Sequence, residues 1–180
     1  MKRVITIGGL HGTGKSSTAN RVATDFNLRR VSAGGIFRQL AEERGLTLEE
    51  FSKVAETDPQ IDLLLDGRIK DESKKGNIML DGQLAGWMAG ENADLRILLV
   101  APLNVRVKRI ADRDNVSIEL AHHETTIREE IERARYIEFY DFDVSDTSIY
   151  DLIINTEKYG LDGVVRIISA AISALFESKN

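Results

Sequence analysis

A chain of 180 residues is long enough for one domain with a sizeable core and short for two. Hydrophobic residues at 42% and charged residues at 29% are ordinary for a soluble globular protein, and no run approaches the ~20 apolar residues of a membrane span. A formal charge of -5 opposes non-specific attraction to nucleic acid, and the lack of cysteine excludes disulfides and thiolate metal sites.

Met1, Lys2 and Arg3 precede an apolar run, Val4 to Ile7, which Gly8 and Gly9 interrupt too early for a secretory segment; export is not expected and a cytoplasmic location is. That run reads as a buried strand. A helix follows from about Lys15 to Phe26, with Ala19, Val22, Ala23 and Phe26 at its apolar positions. Arg29 to Ser32 makes a short second strand, after which Ile36, Phe37, Leu40 and Ala41 keep helical spacing until Gly45. Thr47-Leu-Glu-Glu50 has capping-box spacing, and Asp58-Pro59 offers an N-cap followed by proline at the first helical position, so two more helices start there. The second carries Ile61, Leu64, Leu65 and Ile69 and ends near Gly76.

Asn77 to Leu80 and Leu95 to Ala101 read as central strands, closed by Asp81-Gly82 and by Pro102. A helix begins near Leu103, a polar helix spans about Ser117 to Tyr140, Asp151 to Asn155 holds a last strand, and Val164 to Phe176 forms a final helix. Strands alternating with helices imply parallel pairing, with right-handed crossovers that place helices on both faces of one sheet.

Gly9-Leu-His-Gly-Thr-Gly14-Lys15-Ser16 fits the pattern G-x-x-x-x-G-K-S/T between a predicted strand and a predicted helix, the context that gives it meaning. Glycines let such a loop curl so that backbone N–H groups point inward at an anion, the lysine neutralises β and γ phosphates, and the serine holds magnesium. Gly8, Gly9, Leu10, His11, Gly12, Thr13, Gly14, Lys15, Ser16 and Ser17 are the nucleotide-binding residues this predicts, with His11 acting through its backbone rather than its ring. The guanine and γ-phosphate signatures of a GTPase switch, Asn-Lys-x-Asp and Asp-x-x-Gly, do not occur. His122 and His123 show no metal-ligand spacing.

Arginines stand at 106, 109, 113, 128, 133 and 135. A solvated helix face is one reading of them, since charge runs on helices usually mean exposure. The other is phosphate chemistry: transfer between two nucleotides gathers several negative groups in one cleft, and a guanidinium fork binds their oxygens bidentately. Arg109 and Arg113 share a helix face, and Arg128, Glu132 and Arg135 have R-x-x-x-E-x-x-R spacing on the next helix. Asp81 ends an apolar strand, where it either orders magnesium through water at the ligand crevice or caps a turn. Trp87 is read as a packing residue rather than a base-stacking platform.

At this point the chain resembles the P-loop nucleoside monophosphate kinases, and among them the short archaeal-type cytidylate kinases. Val31-Ser-Ala-Gly-Gly-Ile-Phe-Arg38 is similar to the monophosphate-binding helix, and Gly-x-Leu-Ala-Gly-Trp-Met from Gly82 to Met88 to the motif after the third strand. Arg128-Glu-Glu-Ile-Glu-Arg-Ala-Arg-Tyr136 resembles the helix after the lid, and Asp146 to Thr156 the approach to the adenine loop. The resemblance implies a three-layer α/β P-loop fold with a five-stranded parallel sheet, one domain over 1–180, a helical acceptor-binding insert near 33–76 and a lid near 112–125. It implies ATP and Mg2+, with CMP or dCMP as acceptor and no nucleic acid, membrane or obligate protein partner.

By the same carry-over Lys15, Arg109, Arg113, Arg128 and Arg135 are catalytic, with Arg109 and Arg113 in the ATP-side lid. Arg38 grips the acceptor phosphate, Arg128 and Arg135 bridge the two nucleotides, and Asn155 and Thr156 lie beside adenine. Ser32, Gly34, Gly82 and Glu132 join the acceptor side, and Ser16 with Asp81 serves magnesium. Gln83 departs from the family pattern, which carries arginine there against the acceptor phosphate, and Arg68 is a candidate to compensate. Cytosine, with an N4 donor beside N3 and O2 acceptors, calls for a carboxylate beside a donor, and Asp62, Asp66 and Arg68 are candidates. Two rival readings remain: an AMP-using enzyme like adenylate kinase, and a nucleotide-gated regulator without transferase activity.

Overall fold

The computed structural model describes residues 3–55 and 58–177; Met1 and Lys2 of the expected N-terminal run, and Glu56 and Thr57 of the expected insert, lie outside the described residues. In chain order come β1 (Val4–Gly8), α1 (Lys15–Asp25), β2 (Arg29–Ser32), α2 (Ala33–Glu43), α3 (Leu48–Ala55) and α4 (Pro59–Lys75). They are followed by β3 (Ile78–Asp81), α5 (Ala85–Ala89), a 3-10 turn at Gly90–Asn92, β4 (Leu95–Val100), α6 (Leu103–Asp114), α7 (Ile118–Tyr140), β5 (Leu152–Asn155) and α8 (Leu161–Glu177).

All strand pairings are parallel, in the order β2-β3-β1-β4-β5. Side chains alternate across the sheet, which sorts the apolar residues into two cores. Ile5, Ile7, Met79 and Ile97 pack with α1 and α8 through Val22, Ile168 and Ile172. Val4, Ile78 and Leu80 face the other way and pack with the insert through Ile36, Leu40, Phe51, Ile61 and Ile69. A third, smaller cluster of Val107, Ile110, Ala111 and Ala121 ties α6 to α7.

The helix ends follow the local signals. Ser32 caps α2 by accepting from the Gly35 N–H, and Asp58 caps α4 by accepting from the Gln60 N–H. Thr47 and Glu50 exchange the two bonds of a capping box at the start of α3. Ser117 caps α7 through the Leu120 N–H. The expected lid near 112–125 is thus the end of α6, a three-residue turn at 115–117 and the first two turns of α7, while 33–76 holds α2, α3 and α4.

Register places the site. Ile7 and Ser32 both pair opposite Asp81, and Gly8 pairs opposite Leu98, so the carboxyl ends of β1 to β4 finish at one edge. The loop after β1, the turn after β3 and the N-terminus of α2 meet along that edge, the usual ligand crevice of an open parallel sheet.

Phe51 is fully buried and packs its ring against Phe37 at a centroid distance of 4.7 Å, anchoring α3 inside the insert. The Phe51→Ala variant is expected to lose about 3–5 kcal/mol of unfolding free energy. Chemical denaturation followed by circular dichroism measures it, and a loss below about 1 kcal/mol would contradict the packing described.

Candidate active site

The loop from Gly8 to Gly14 turns over the end of β1 and passes into α1 at Lys15, Ser16 and Ser17. Gly9 sits at φ 135 and Gly12 at φ 76, and a Cβ at Gly12 would fall 2.6 Å from the Arg106 carbonyl oxygen. The loop is thus pressed against α6. Thr13 Oγ1 and Lys15 Nζ both donate to the Leu10 carbonyl at 2.8 Å, closing the curl from inside. Burial lowers the Lys15 ammonium to about pKa 8 against the opposing pull of Asp81, Glu132 and Glu129.

On the β3 side, Asp81 is buried and answered on both oxygens. Ser16 Oγ donates to Oδ2 at 3.0 Å, and Arg30 of β2 grips Oδ1 and Oδ2 at 3.1 and 3.0 Å. Gly82 follows, its N–H bonded to the Ile7 carbonyl, and Gln83 points toward the phosphate loop. Ser32 is spent on capping α2, whose first turn holds Gly34 and whose second holds Arg38. Arg38 is exposed and, among the described residues, forms no ion pair, with its guanidinium lying back toward Gly34. A free cation beside a helix N-terminus is an anion-binding arrangement.

The α6–α7 hairpin closes the other side. Arg106 is 5% exposed; its Nε donates to the Ala101 carbonyl and its Nη1 to the His11 carbonyl, and both Nη atoms hold Glu129 of α7. Glu129 in turn accepts the His11 N–H at 3.2 Å. Arg109 donates to the Gly12 carbonyl, to Thr156 Oγ1 and to the Thr156 carbonyl, while Thr156 Oγ1 donates onward to the Thr13 carbonyl. Arg113, four residues on, lies beyond this grip and pairs with its neighbour Asp114. Asn155 is exposed at the end of β5 and accepts from the Glu157 N–H.

Glu132 is a hub. Its Oε1 takes Arg128 Nε at 2.9 Å, and its Oε2 meets the His11 ring at 2.7 Å and the Gln83 amide. Burial works to raise this carboxyl, but the hydrogen bonds and charges of His11 and Arg128 hold it down at about 2. Three residues further, Arg135 faces Asp62 of α4 at 3.3 Å, and the buried Asp62 Oδ2 and Arg135 Nε have no hydrogen-bond partner. Asp66, one turn on, is pushed up to about 6 by burial although it accepts from the Tyr140 hydroxyl. Arg68 lies on a different face of α4 and pairs with Glu43 at the end of α2, so the structure does not bring it to Asp62 or to Gln83. Trp87 packs on Phe142 at 5.9 Å and edge-on to Tyr150 at 5.6 Å.

Glu129, Arg30 and the His11 ring escaped the sequence reading, and Arg106 was noted there without a role. Arg106 and Glu129 stand one turn before Arg109 and Glu132, so helical spacing placed them on the right faces, but nothing local separates a buried arginine from a solvated one. Arg30 sits on a short strand whose pairing to β3 aims it at Asp81. The His11 ring, expected to be idle, is engaged because α7 delivers Glu132 to it.

A glycine loop with a half-buried lysine, a serine and aspartate bonded at the sheet edge, and an arginine-bearing helical hairpin over them define a P-loop kinase. The AAA domain family matches residues 8–134. The chain is 49% identical over 165 residues to the cytidylate kinase of Staphylothermus marinus, covering 92% of this chain and 93% of that one. Against the cytidylate kinase of Pyrococcus horikoshii the identity is 47% over 174 residues, covering 97% and 90%. The shikimate kinase structure from Bacteroides thetaiotaomicron has the same fold at a TM-score of 0.67 and 12% identity, covering 96% of this chain and 99% of that one. The chain belongs to the cytidylate kinase family.

With Lys15 held near pKa 8, ATP binding is expected to take up a proton when the free enzyme has lost it. Calorimetric titration in buffers of different ionisation enthalpy should show uptake growing between about pH 7 and 9, toward one proton per ATP. The sign follows from a bound-state pKa above the free-state one, and proton release over that range would contradict it.

Proposed function

We propose that the chain transfers the γ-phosphate of ATP to CMP or dCMP, giving ADP and CDP or dCDP. The observation that carries this reading is the meeting, at one sheet edge, of the phosphate loop with Lys15, the Ser16–Asp81 pair and the arginines of α6 and α7. The names of the archaeal relatives supply the acceptor. In this reading the N–H groups of the loop and Lys15 hold the β and γ phosphates of ATP. Arg38 and the N-terminus of α2 hold the acceptor phosphate, and Asn155 and Thr156 lie beside adenine.

The reaction needs positioning and charge rather than a protein nucleophile. An acceptor phosphate oxygen attacks the γ-phosphorus as the bond to the β–γ bridging oxygen breaks, and that oxygen leaves on ADP. Arg128 and Arg135 are exchangeable cations for this: each is already paired in charge with a carboxylate of the cleft, Arg128 through a hydrogen bond and Arg135 without one, and can trade it for a phosphate. Arg113, paired only with an exposed neighbour, is similarly free to swing in from the hairpin turn. Arg109 is committed to backbone carbonyls and supports the loop from behind.

The hydroxyl of Ser16 and the carboxylate of Asp81 are hard oxygen donors 3.0 Å apart, which fits Mg2+, an ion that takes few protein ligands and completes its shell with water and phosphates. When bound there it would neutralise charge on the phosphates. Cytosine recognition falls to the buried Asp62 and the half-buried Asp66, the carboxylates of α4 that meet Arg135 and Tyr140 of α7, with Arg135 as neighbouring donor. The same reading takes the work to be cytoplasmic, with no macromolecular partner required.

The test is ADP release by the purified protein with Mg-ATP and, separately, CMP, dCMP, UMP, AMP, GMP or no acceptor. Highest kcat/KM with CMP or dCMP is expected, and Asp62→Asn should narrow its margin over UMP. Preference for AMP would keep the mechanism and overturn the acceptor; turnover without acceptor dependence would overturn both. Lys15→Ala is expected to lose at least about 10²-fold in kcat with an unchanged circular dichroism spectrum, the scale of removing one electrostatic stabiliser.

A further inference from the structure

A cleft that gathers the phosphates of two nucleotides should not present bare carboxylates, yet α7 aims two of them at residue 11 of the phosphate loop. Glu129 accepts the His11 N–H and Glu132 meets the His11 ring. The two are compensated differently. Glu129 is held by Arg106, which is buried and bound to two backbone carbonyls, so that pair stays together whatever binds. Glu132 depends on Arg128, whose side chain is 64% exposed while that of Glu132 is 13% exposed. The arginine is free to leave for a phosphate, and the carboxylate is not.

Once Arg128 leaves, Glu132 keeps two hydrogen-bond partners, the neutral Gln83 amide and His11, while the Lys15 ammonium that also feels its charge is bonded to the Leu10 carbonyl. Gln83 Nε2 and His11 Nε2 both reach Glu132 Oε2, so their own 2.9 Å contact is that of two donors sharing one acceptor. At 2.7 Å from an ionised carboxylate, which can only accept, His11 Nε2 carries the hydrogen and makes a charge-assisted bond. We infer that His11 is a positioning residue whose imidazole N–H holds Glu132 in place while Arg128 exchanges that carboxylate for a nucleotide phosphate. The inference rests on the nucleotide-binding reading above, and it gives the ring of a phosphate-loop residue a task separate from its backbone.

The experiment is a double-mutant cycle on ATP affinity, measured by titration calorimetry on the full chain, with melting temperature recorded for each variant. His11→Ala should weaken ATP binding at least about tenfold, the scale of losing one charge-assisted bond to a group that stays buried. In a Glu132→Gln background the same change should cost less than about threefold, because the charge it answered is gone. Adding Gln83→Arg to His11→Ala, which brings a second cation to Glu132 Oε2, should recover most of the loss. Equal cost in both backgrounds, no cost in either, or no recovery with arginine would each overturn the inference. Because ATP affinity is read without an acceptor, failure of the acceptor panel leaves this cycle readable; wild-type protein that binds no ATP would overturn both readings.

Discussion

A planar peptide points its C=O and N–H in opposite directions, and this constraint governs the site. Arg106 draws the His11 carbonyl outward and Arg109 draws the Gly12 carbonyl outward. The N–H groups on the other side of those peptides, belonging to Gly12 and Thr13, must then face into the loop. Two guanidinium groups on one turn of α6 thus set the direction of donors they never touch. Gly12 permits the approach because no side chain stands between it and the α6 backbone. The anion nest is shaped from outside before any anion is present.

The rest of the cleft follows a second constraint, that charge taken out of water must be paired. Asp81 holds Arg30, Glu129 holds Arg106, Glu132 holds Arg128, and Asp62 faces Arg135. Some of these pairs are fixed and some are open to exchange, and exposure separates them. Arg106 is sealed in and supports the loop, whereas Arg128 stands in solvent and can change partner. Nucleotide binding in such a cleft is a redistribution of partners among charges already assembled.

What could be read from the sequence follows the range of the interactions. The strand-loop-helix unit of β1 and α1 and the caps at Thr47 and Asp58 were legible because each is complete within a few residues. The parallel sheet was legible from alternation of element types. Arg30 with Asp81, Arg106 with Glu129, and the His11 ring with Glu132 were not, since each joins residues 23 to 121 positions apart and depends on how elements dock. Arg68 shows the reverse case: six residues from Asp62 in sequence, it turns to Glu43 because α4 carries the two on different faces.

The aromatic packing around α5 has an optical consequence. Trp87 is the sole tryptophan of the chain, and it lies against Phe142, just beyond the end of α7, and Tyr150. The helix that bears Glu129, Glu132 and Arg135 therefore terminates beside the one indole. Any tilt of α7 during substrate capture changes the polarity and ring contacts around that indole, so the protein carries an intrinsic fluorophore placed to report hairpin movement without a label.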